Sequence, residues 1–204
     1  MERREELITQ IIELEWEMFR AVPAEERSAV CQEDEESFRI VRIAGFLTWS
    51  DATLASYLLD LKMAKSAGRN LMTEKYALMQ GLIPSPNPDV ENIISRIVRK
   101  ECAWAEEYLR ANPGATLVRP IYASEDAPGV VSSETYSRCE LETYSARTLD
   151  YYYSDTLNMA ARRENRVALA VRYMQAMSGD PPVDWRDLLS SGGGGRSAGA
   201  AACT

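Results

Sequence analysis

The most informative absence in this chain of 204 residues is histidine, which does not occur at all. Imidazole is the side chain that most often serves as a general base near neutral pH, and it is the commonest protein ligand of zinc. The sequence therefore excludes catalytic triads that depend on histidine, histidine-ligated zinc sites and histidine-ligated di-iron sites.

Cysteines are few, and long apolar runs are absent. The four cysteines, Cys31, Cys102, Cys139 and Cys203, form no Cys-x-x-Cys pair and show no spacing typical of metal ligands. No signal-peptide pattern begins the chain, so we interpret them as reduced thiols of a cytoplasmic protein. No apolar run is long enough to cross a bilayer. The glycine-rich phosphate-binding and dinucleotide-binding motifs are absent too.

Positive charge is in the minority. The chain has 23 Lys and Arg against 31 Asp and Glu, a net charge of -8. Non-specific binding to nucleic acid or to an anionic membrane requires a surface rich in Lys and Arg. We therefore expect neither nucleic acid nor membrane as a partner. A local basic pocket for a small anionic ligand is still compatible with this net charge.

Apolar residues recur at helical spacing through most of the chain, and this pattern predicts an all-α protein. The expected helices span residues 3–21, 37–48, 51–67, 70–80, 90–111, 134–147, 149–162 and 165–178, followed by a short amphipathic stretch over 183–189. Ser50 and Asn70 are suitable N-caps, and Gly68 is suited to a helix C-terminus. Proline, glycine and polar residues occupy the segments between the helices.

These helices predict two similar units of about four helices each. We expect a first unit over 1–80, a Pro-rich linker over 81–89, a second unit over 90–178, a short C-terminal segment over 179–189 and a disordered tail over 190–204.

Charged positions recur in the two units. Glu15 matches Glu101 at an offset of 86 residues, Asp34 matches Asp126 at 92, and Arg42 matches Glu140 at 98. The offset changes only at the loops, where insertions are tolerated. The pattern favours two units packed about a pseudo-twofold axis. The alternative is that any two amphipathic helical stretches align loosely.

The matched glutamates are the candidate catalytic residues. Glu15 lies in the middle of the apolar stripe of its helix, Glu101 repeats this placement, and Glu140 lies between aromatic residues. An ionised carboxylate in a core is costly unless it is paired, and a buried one with a raised pKa can act as a general acid or base. The alternative is a structural network of buried Arg and Glu that sets how the units dock.

The candidate ligand-binding residues are Arg42, Arg69, Asp34 and Asp126. Arg42 and Arg69 could hold an anionic group such as a phosphate. The aspartates, each shortly before a helix, could join the glutamates in an all-oxygen site, which suits magnesium or manganese and leaves the identity of any metal open. The alternative role of both aspartates is helix capping or a solvated acidic loop.

Three segments together resemble a known family: residues 14–19, residues 68–77 with Gly-Arg-Asn-Leu and Thr-Glu-Lys-Tyr-Ala, and residues 138–149. Over residues 5–178 the chain resembles the bacterial domain of unknown function 4125. It departs from that pattern where Glu164-Asn165-Arg166 stands in place of a second Gly-Arg-Asn. The resemblance implies an independent bacterial protein, and it brings no activity or catalytic residue with it.

Two functions of different classes follow from these patterns. One is a small-molecule-binding protein or enzyme with a carboxylate and arginine site between the two units. The other is a non-catalytic regulatory or adaptor protein whose buried charges are structural, and a homodimer formed through a helical face is a third interpretation. The sequence does not decide whether the chain is an enzyme.

Overall fold

The computed structural model describes residues 2–22, 34–86 and 88–191, and in these residues it is all-helical, as the sequence predicts. The helices are α1 Glu2–Arg20, α2 Glu35–Phe46, α3 Asp51–Ser66, α4 Leu71–Met79, α5 Glu91–Ala111, α6 Ser133–Leu141, α7 Ala146–Ala161, α8 Arg166–Met177 and α9 Trp185–Ser191. Residues 23–33, which include Cys31, and residues 192–204 of the predicted tail lie outside the described ranges.

Short polar side chains begin most of these helices. Ser50, Asn70 and Asn165 each accept a hydrogen bond from a backbone N–H in the first turn of the next helix. The prediction of one helix over 134–147 is wrong, because α6 ends at Leu141. Ser145 then caps α7 by accepting from the Thr148 N–H at 3.2 Å.

The helices pack into one continuous core. Helix α1 lies against α2, α3 and α4, and helix α5 lies against α6, α7 and α8. Between these two groups, α3 packs on α7, α2 packs on α8, and α4 packs on α6. Fully buried side chains come from both groups: Ile8, Ile11, Leu54, Ile94, Ile97 and Leu149. In the described ranges, none of the helices has the length and apolar character needed to cross a membrane.

Helices α3 and α7 end in the same way with different residues. After α3 the Arg69 N–H donates to the Ala64 carbonyl at 2.8 Å, and after α7 the Glu164 N–H donates to the Met159 carbonyl at 2.9 Å. Each turn needs one residue in the left-handed region, which is Gly68 at φ 69° and Arg163 at φ 57°. Glycine adopts this conformation freely, whereas an arginine is strained there because of its Cβ.

We expect Arg163→Gly to raise the free energy of unfolding by about 0.5–1 kcal/mol, because relief of the left-handed strain exceeds the added entropy of the unfolded chain. Gly68→Ala should lower it by about 1 kcal/mol. Urea unfolding measures both changes, with Arg162→Gly as the control at the neighbouring residue of negative φ. An Arg163→Gly variant no more stable than Arg162→Gly would contradict this interpretation.

Candidate functional site

Glu15 is buried, as its place in the apolar stripe predicts, with a relative exposure of 0%. Arg42 of α2 donates from Nε to Oε2 at 2.7 Å and from Nη2 to Oε1 at 2.5 Å. The Tyr57 hydroxyl of α3 also donates to Oε1, at 2.7 Å. Two parallel N–H···O bonds form a bidentate ion pair, the strongest geometry for these groups. The Glu15 carboxylate is therefore enclosed by side chains of the protein.

Arg42 also holds a second carboxylate. Its Nη1 lies 2.9 Å from Oε1 of Glu140. The Glu140 carboxylate also accepts hydrogen bonds from the Tyr144 hydroxyl at 2.9 Å and from the Lys75 ammonium group at 3.3 Å. Burial raises the pKa of Glu140, but the charges of Arg42 and Lys75 outweigh it and hold the pKa at about 2. A carboxylate this acidic is a weak base at neutral pH, so its environment suits ion pairing better than proton transfer.

Glu101 has its own set of partners. It accepts hydrogen bonds from the Ser137 hydroxyl of α6 and the Tyr152 hydroxyl of α7, both at 2.5 Å. Arg166, the first residue of α8, donates from Nη1 at 3.2 Å. Glu15 and Glu101 each bind a tyrosine and an arginine, but these are different residues. The structure thus places the two matched glutamates in two separate ion pairs.

Arg166 is a buried cation of this region that the sequence did not predict. Its side chain is buried, and its guanidinium carbon lies 4.2 Å from the ring centroid of Tyr152 and 5.6 Å from that of Trp104. Nη1 binds Glu101, whereas Nε and Nη2 are buried without a hydrogen-bond partner among the described residues. Its only signal in the sequence was the departure from a second Gly-Arg-Asn pattern.

A cavity of about 360 Å³ brings these residues together. It lies among α2, α5, α6, α7, α8 and residues 117–119 of the loop before α6. Its polar lining is Arg42, Thr48, Glu101, Arg119, Ser133, Tyr136, Ser137, Glu140, Tyr152 and Arg166. Val98, Val171, Met174 and Trp49 belong to its apolar wall. Glu15 lies behind Arg42, outside this lining.

Tyr136 is held in the cavity wall by two cations. The ammonium group of buried Lys75 donates to the Tyr136 hydroxyl at 2.8 Å, and the Arg119 guanidinium lies 4.5 Å from the ring centroid. Arg119 also donates to the Val131 carbonyl at 3.2 Å. These contacts join the loop before α6 to the lining and fix its arginine beside the cavity.

The other predicted ligand-binding residues lie outside the cavity lining of the described chain. Asp34 caps α2 through the Ser37 N–H at 2.9 Å, and Asp126 accepts from the Ser132 N–H at 2.6 Å. Hydrogen bonds, first from the Ser37 side chain, lower the pKa of the Asp34 carboxyl. Arg69 forms a bidentate pair with Glu74 on the surface. Of the four predicted ligand-binding residues, Arg42 is the one that lines the cavity.

Carboxylates and thiols do not gather into a metal site in the part of the chain that is described. The expected set of carboxylate ligands for magnesium or manganese is not assembled there, because Glu15, Glu101 and Glu140 are each paired with an arginine. Cys102, which lines the cavity, and Cys139 are buried free thiols, and burial raises the pKa of each to about 11. Such thiols are protonated at neutral pH and are weak nucleophiles.

The family model described as a protein of unknown function (DUF4125) matches residues 5–184. This confirms the resemblance seen in the sequence and carries it beyond α8. No curated protein and no solved structure matches the chain significantly.

The low pKa of Glu140 predicts how the free energy of unfolding depends on pH. Its folded-state pKa lies below the ordinary value of 4.5, so the ionised group stabilises the fold above that pH. This contribution, up to about 3 kcal/mol, is lost as the pH falls from about 5 towards 2. We expect the free energy of unfolding to fall less steeply over this window in Glu140→Gln than in the native chain.

Urea unfolding at several pH values between 6 and 2.5 makes this measurement. The exposed Glu13→Gln variant is the control for the loss of one negative charge. Equal pH slopes for Glu140→Gln and Glu13→Gln would show that Glu140 makes no such contribution.

Proposed function

Because the chain belongs to the DUF4125 family, described as of unknown function, we propose a function from the site itself: it binds a small organic molecule in the cavity beside Arg42 and Arg166. The observation that carries this proposal is the cavity of about 360 Å³, whose apolar wall meets a few convergent charged groups. That size and composition are typical of small-molecule sites.

The charged groups of the lining are held in fixed orientations. Glu15, which also accepts a hydrogen bond from Tyr57, holds Arg42 from behind, while Lys75 and Tyr144 hold Glu140. A site whose side chains are already oriented loses little entropy when it binds a ligand. The proposed ligand therefore has an apolar body and a polar group that these side chains orient.

We also propose that residues 1–80 and 90–178 are two copies of one unit related by a pseudo-twofold axis. The packing of α2 on α8 and of α4 on α6 supports this proposal. A twofold axis between α3 and α7 would exchange α2 with α6 and α4 with α8, and would therefore convert one of these packed pairs into the other. Two hydrogen bonds also support it. The Ser50 N–H donates to Asp155 at 2.8 Å, and the Ser145 N–H donates to Asp60 at 3.0 Å.

The duplication gives a reason for the cavity. The offset of 95 residues that matches Asn70 with Asn165 also matches Lys75 of α4 with Ala170 of α8. The buried Lys75 side chain reaches Tyr136 and Glu140. Ala170 lines the cavity. In the second unit a methyl group thus stands where the first has a long side chain, and we infer that this difference leaves room for a ligand.

A thermal-shift screen of small organic acids, amides and alcohols tests the proposal. A compound at ten times its Kd adds about 1.4 kcal/mol, which raises the Tm of a chain of this size by roughly 3–6 °C. We expect at least one class of compound to raise the Tm of the native chain and of the control variant Ala161→Phe. Ala161 is exposed and lies outside the cavity. Ala170→Phe, which fills the cavity, should not respond.

Two results would contradict the proposal. One is a screen in which no compound stabilises the native chain. The other is an Ala170→Phe variant that responds as strongly as the native chain while its circular dichroism spectrum shows a native fold.

The second candidate function is a non-catalytic regulatory or adaptor protein. The enclosure of Glu15 by Arg42 and Tyr57 favours it, because a carboxylate that is fully paired inside the protein is typical of a structural ion pair. In that case the cavity is a packing void and partners bind to exposed apolar side chains such as Leu59 and Met63 of α3. Two results together would support this alternative. No compound in the thermal-shift screen would change the Tm, and the chain would sediment as a complex with a partner or with a second copy of itself.

A further inference from the structure

Two arginines of this protein each bind both oxygens of a carboxylate through one edge of the guanidinium group. Nε and Nη2 of an arginine point in the same direction and match the two oxygens of a carboxylate. Arg42 uses this pair of donors for Glu15, and Arg69 uses it for Glu74. Arg42 is a buried example in which this edge is filled, and Arg69 is an example on the surface.

Arg166 has the same pair of donors in a different state. Its Nε and Nη2 are buried, line up on one edge, and meet no acceptor within residues 2–22, 34–86 and 88–191. Its third nitrogen binds Glu101, and its flat face lies over Tyr152. Buried N–H donors without an acceptor cost free energy, and native proteins rarely leave them so. Because Arg166 also lines the cavity, a ligand there could supply the missing acceptor.

We propose that the ligand is an organic monocarboxylate, whose two carboxylate oxygens accept hydrogen bonds from Nε and Nη2 of Arg166. Its apolar body then lies against the cavity wall that includes Val98, Val171 and Met174. This inference rests on the proposed function, which requires only that some small molecule occupies the cavity.

The charges around the cavity favour a single negative charge on the ligand. The lining carries three arginines, Arg42, Arg119 and Arg166, against two glutamates, Glu101 and Glu140. Behind the lining, Glu15 and Lys75 offset each other. Asp155, outside the lining, is a further negative charge near Arg166, and its carboxylate accepts hydrogen bonds from Ser50 and Thr53. A monocarboxylate balances the lining, whereas a phosphate dianion brings a second negative charge close to the two glutamates.

Nuclear magnetic resonance of the full chain, observed at the arginine Nε–H groups, reads this site directly. Formate is the minimal probe, because it carries the carboxylate without any body that the cavity could reject. Formamide is its neutral counterpart, and inorganic phosphate is the dianionic one, all compared at equal ionic strength. We expect formate to shift the Arg166 Nε–H signal in a saturable way, and formamide and phosphate to have much weaker effects.

A second set of probes measures affinity by calorimetry. We expect 3-phenylpropionate to bind about tenfold or more tightly than 3-phenylpropanamide, because a hydrogen-bonded charge is lost in the amide. Arg166→Lys keeps the charge without the paired donors and should lose most of this preference. Arg166→Met combined with Glu101→Gln should lose all of it, and the second substitution avoids leaving Glu101 buried without its cation. Arg69→Met, on the surface, is the control and should keep it.

The outcomes separate this inference from the proposed function. If formate leaves the Arg166 Nε–H signal unchanged, or the double variant keeps the preference for the acid, the carboxylate assignment is overturned. Tighter binding of phosphate than of formate would also overturn it, in favour of a phosphorylated ligand. In each case a compound that stabilises the native chain but not Ala170→Phe would leave the proposed function standing. Only the failure of that screen removes both.

Discussion

Arg42 holds the carboxylates of Glu15 and Glu140 at once, and the arrangement of the surrounding helices depends on this double ion pair. Glu15 comes from α1, Arg42 from α2 and Glu140 from α6, so the three charges join helices from the first and second halves of the sequence. Charges out of water are tolerated only with complete pairing, because desolvation costs several kcal/mol per ion. Tyr57, Tyr144 and Lys75 complete that pairing. A displacement of α2 relative to α6 that separated Arg42 from Glu140 would leave a buried charge short of its partner.

The cavity follows from the same constraint. Arg42 and Glu140 form part of its lining with their partners behind them, and Ala170 leaves space in front of them. Arg166 faces the same space with its own carboxylate, Glu101, on one nitrogen. The two ion pairs of the interior therefore differ in one respect. The Glu15 carboxylate fills the paired donors Nε and Nη2 of Arg42, whereas the corresponding donors of Arg166 have no hydrogen-bond partner among the described residues.

The sequence predicted the helices well because helical periodicity is a local signal. It also placed Glu15 correctly in the core, since the neighbours of a residue within one helix follow from spacing alone. It could not identify Lys75 or Arg166, because a cation near a helix start shows no sign of the carboxylate or aromatic ring that another helix brings to it. Arg69, which the sequence offered as an anion ligand, is paired with Glu74 five residues away. The break after Leu141 was missed because the apolar pattern continues across it.

A double-mutant cycle on Arg42 and Glu140 tests most directly whether this buried pair joins the helices around it. Arg42→Met, Glu140→Gln and the double variant are compared with the native chain by urea unfolding at neutral pH. If the pair joins α2 to α6 as the structure shows, each single variant leaves a buried charge short of a partner. The effects should then deviate from additivity by about 1.5 kcal/mol or more. Effects that add within about 0.5 kcal/mol would contradict the central place given to Arg42.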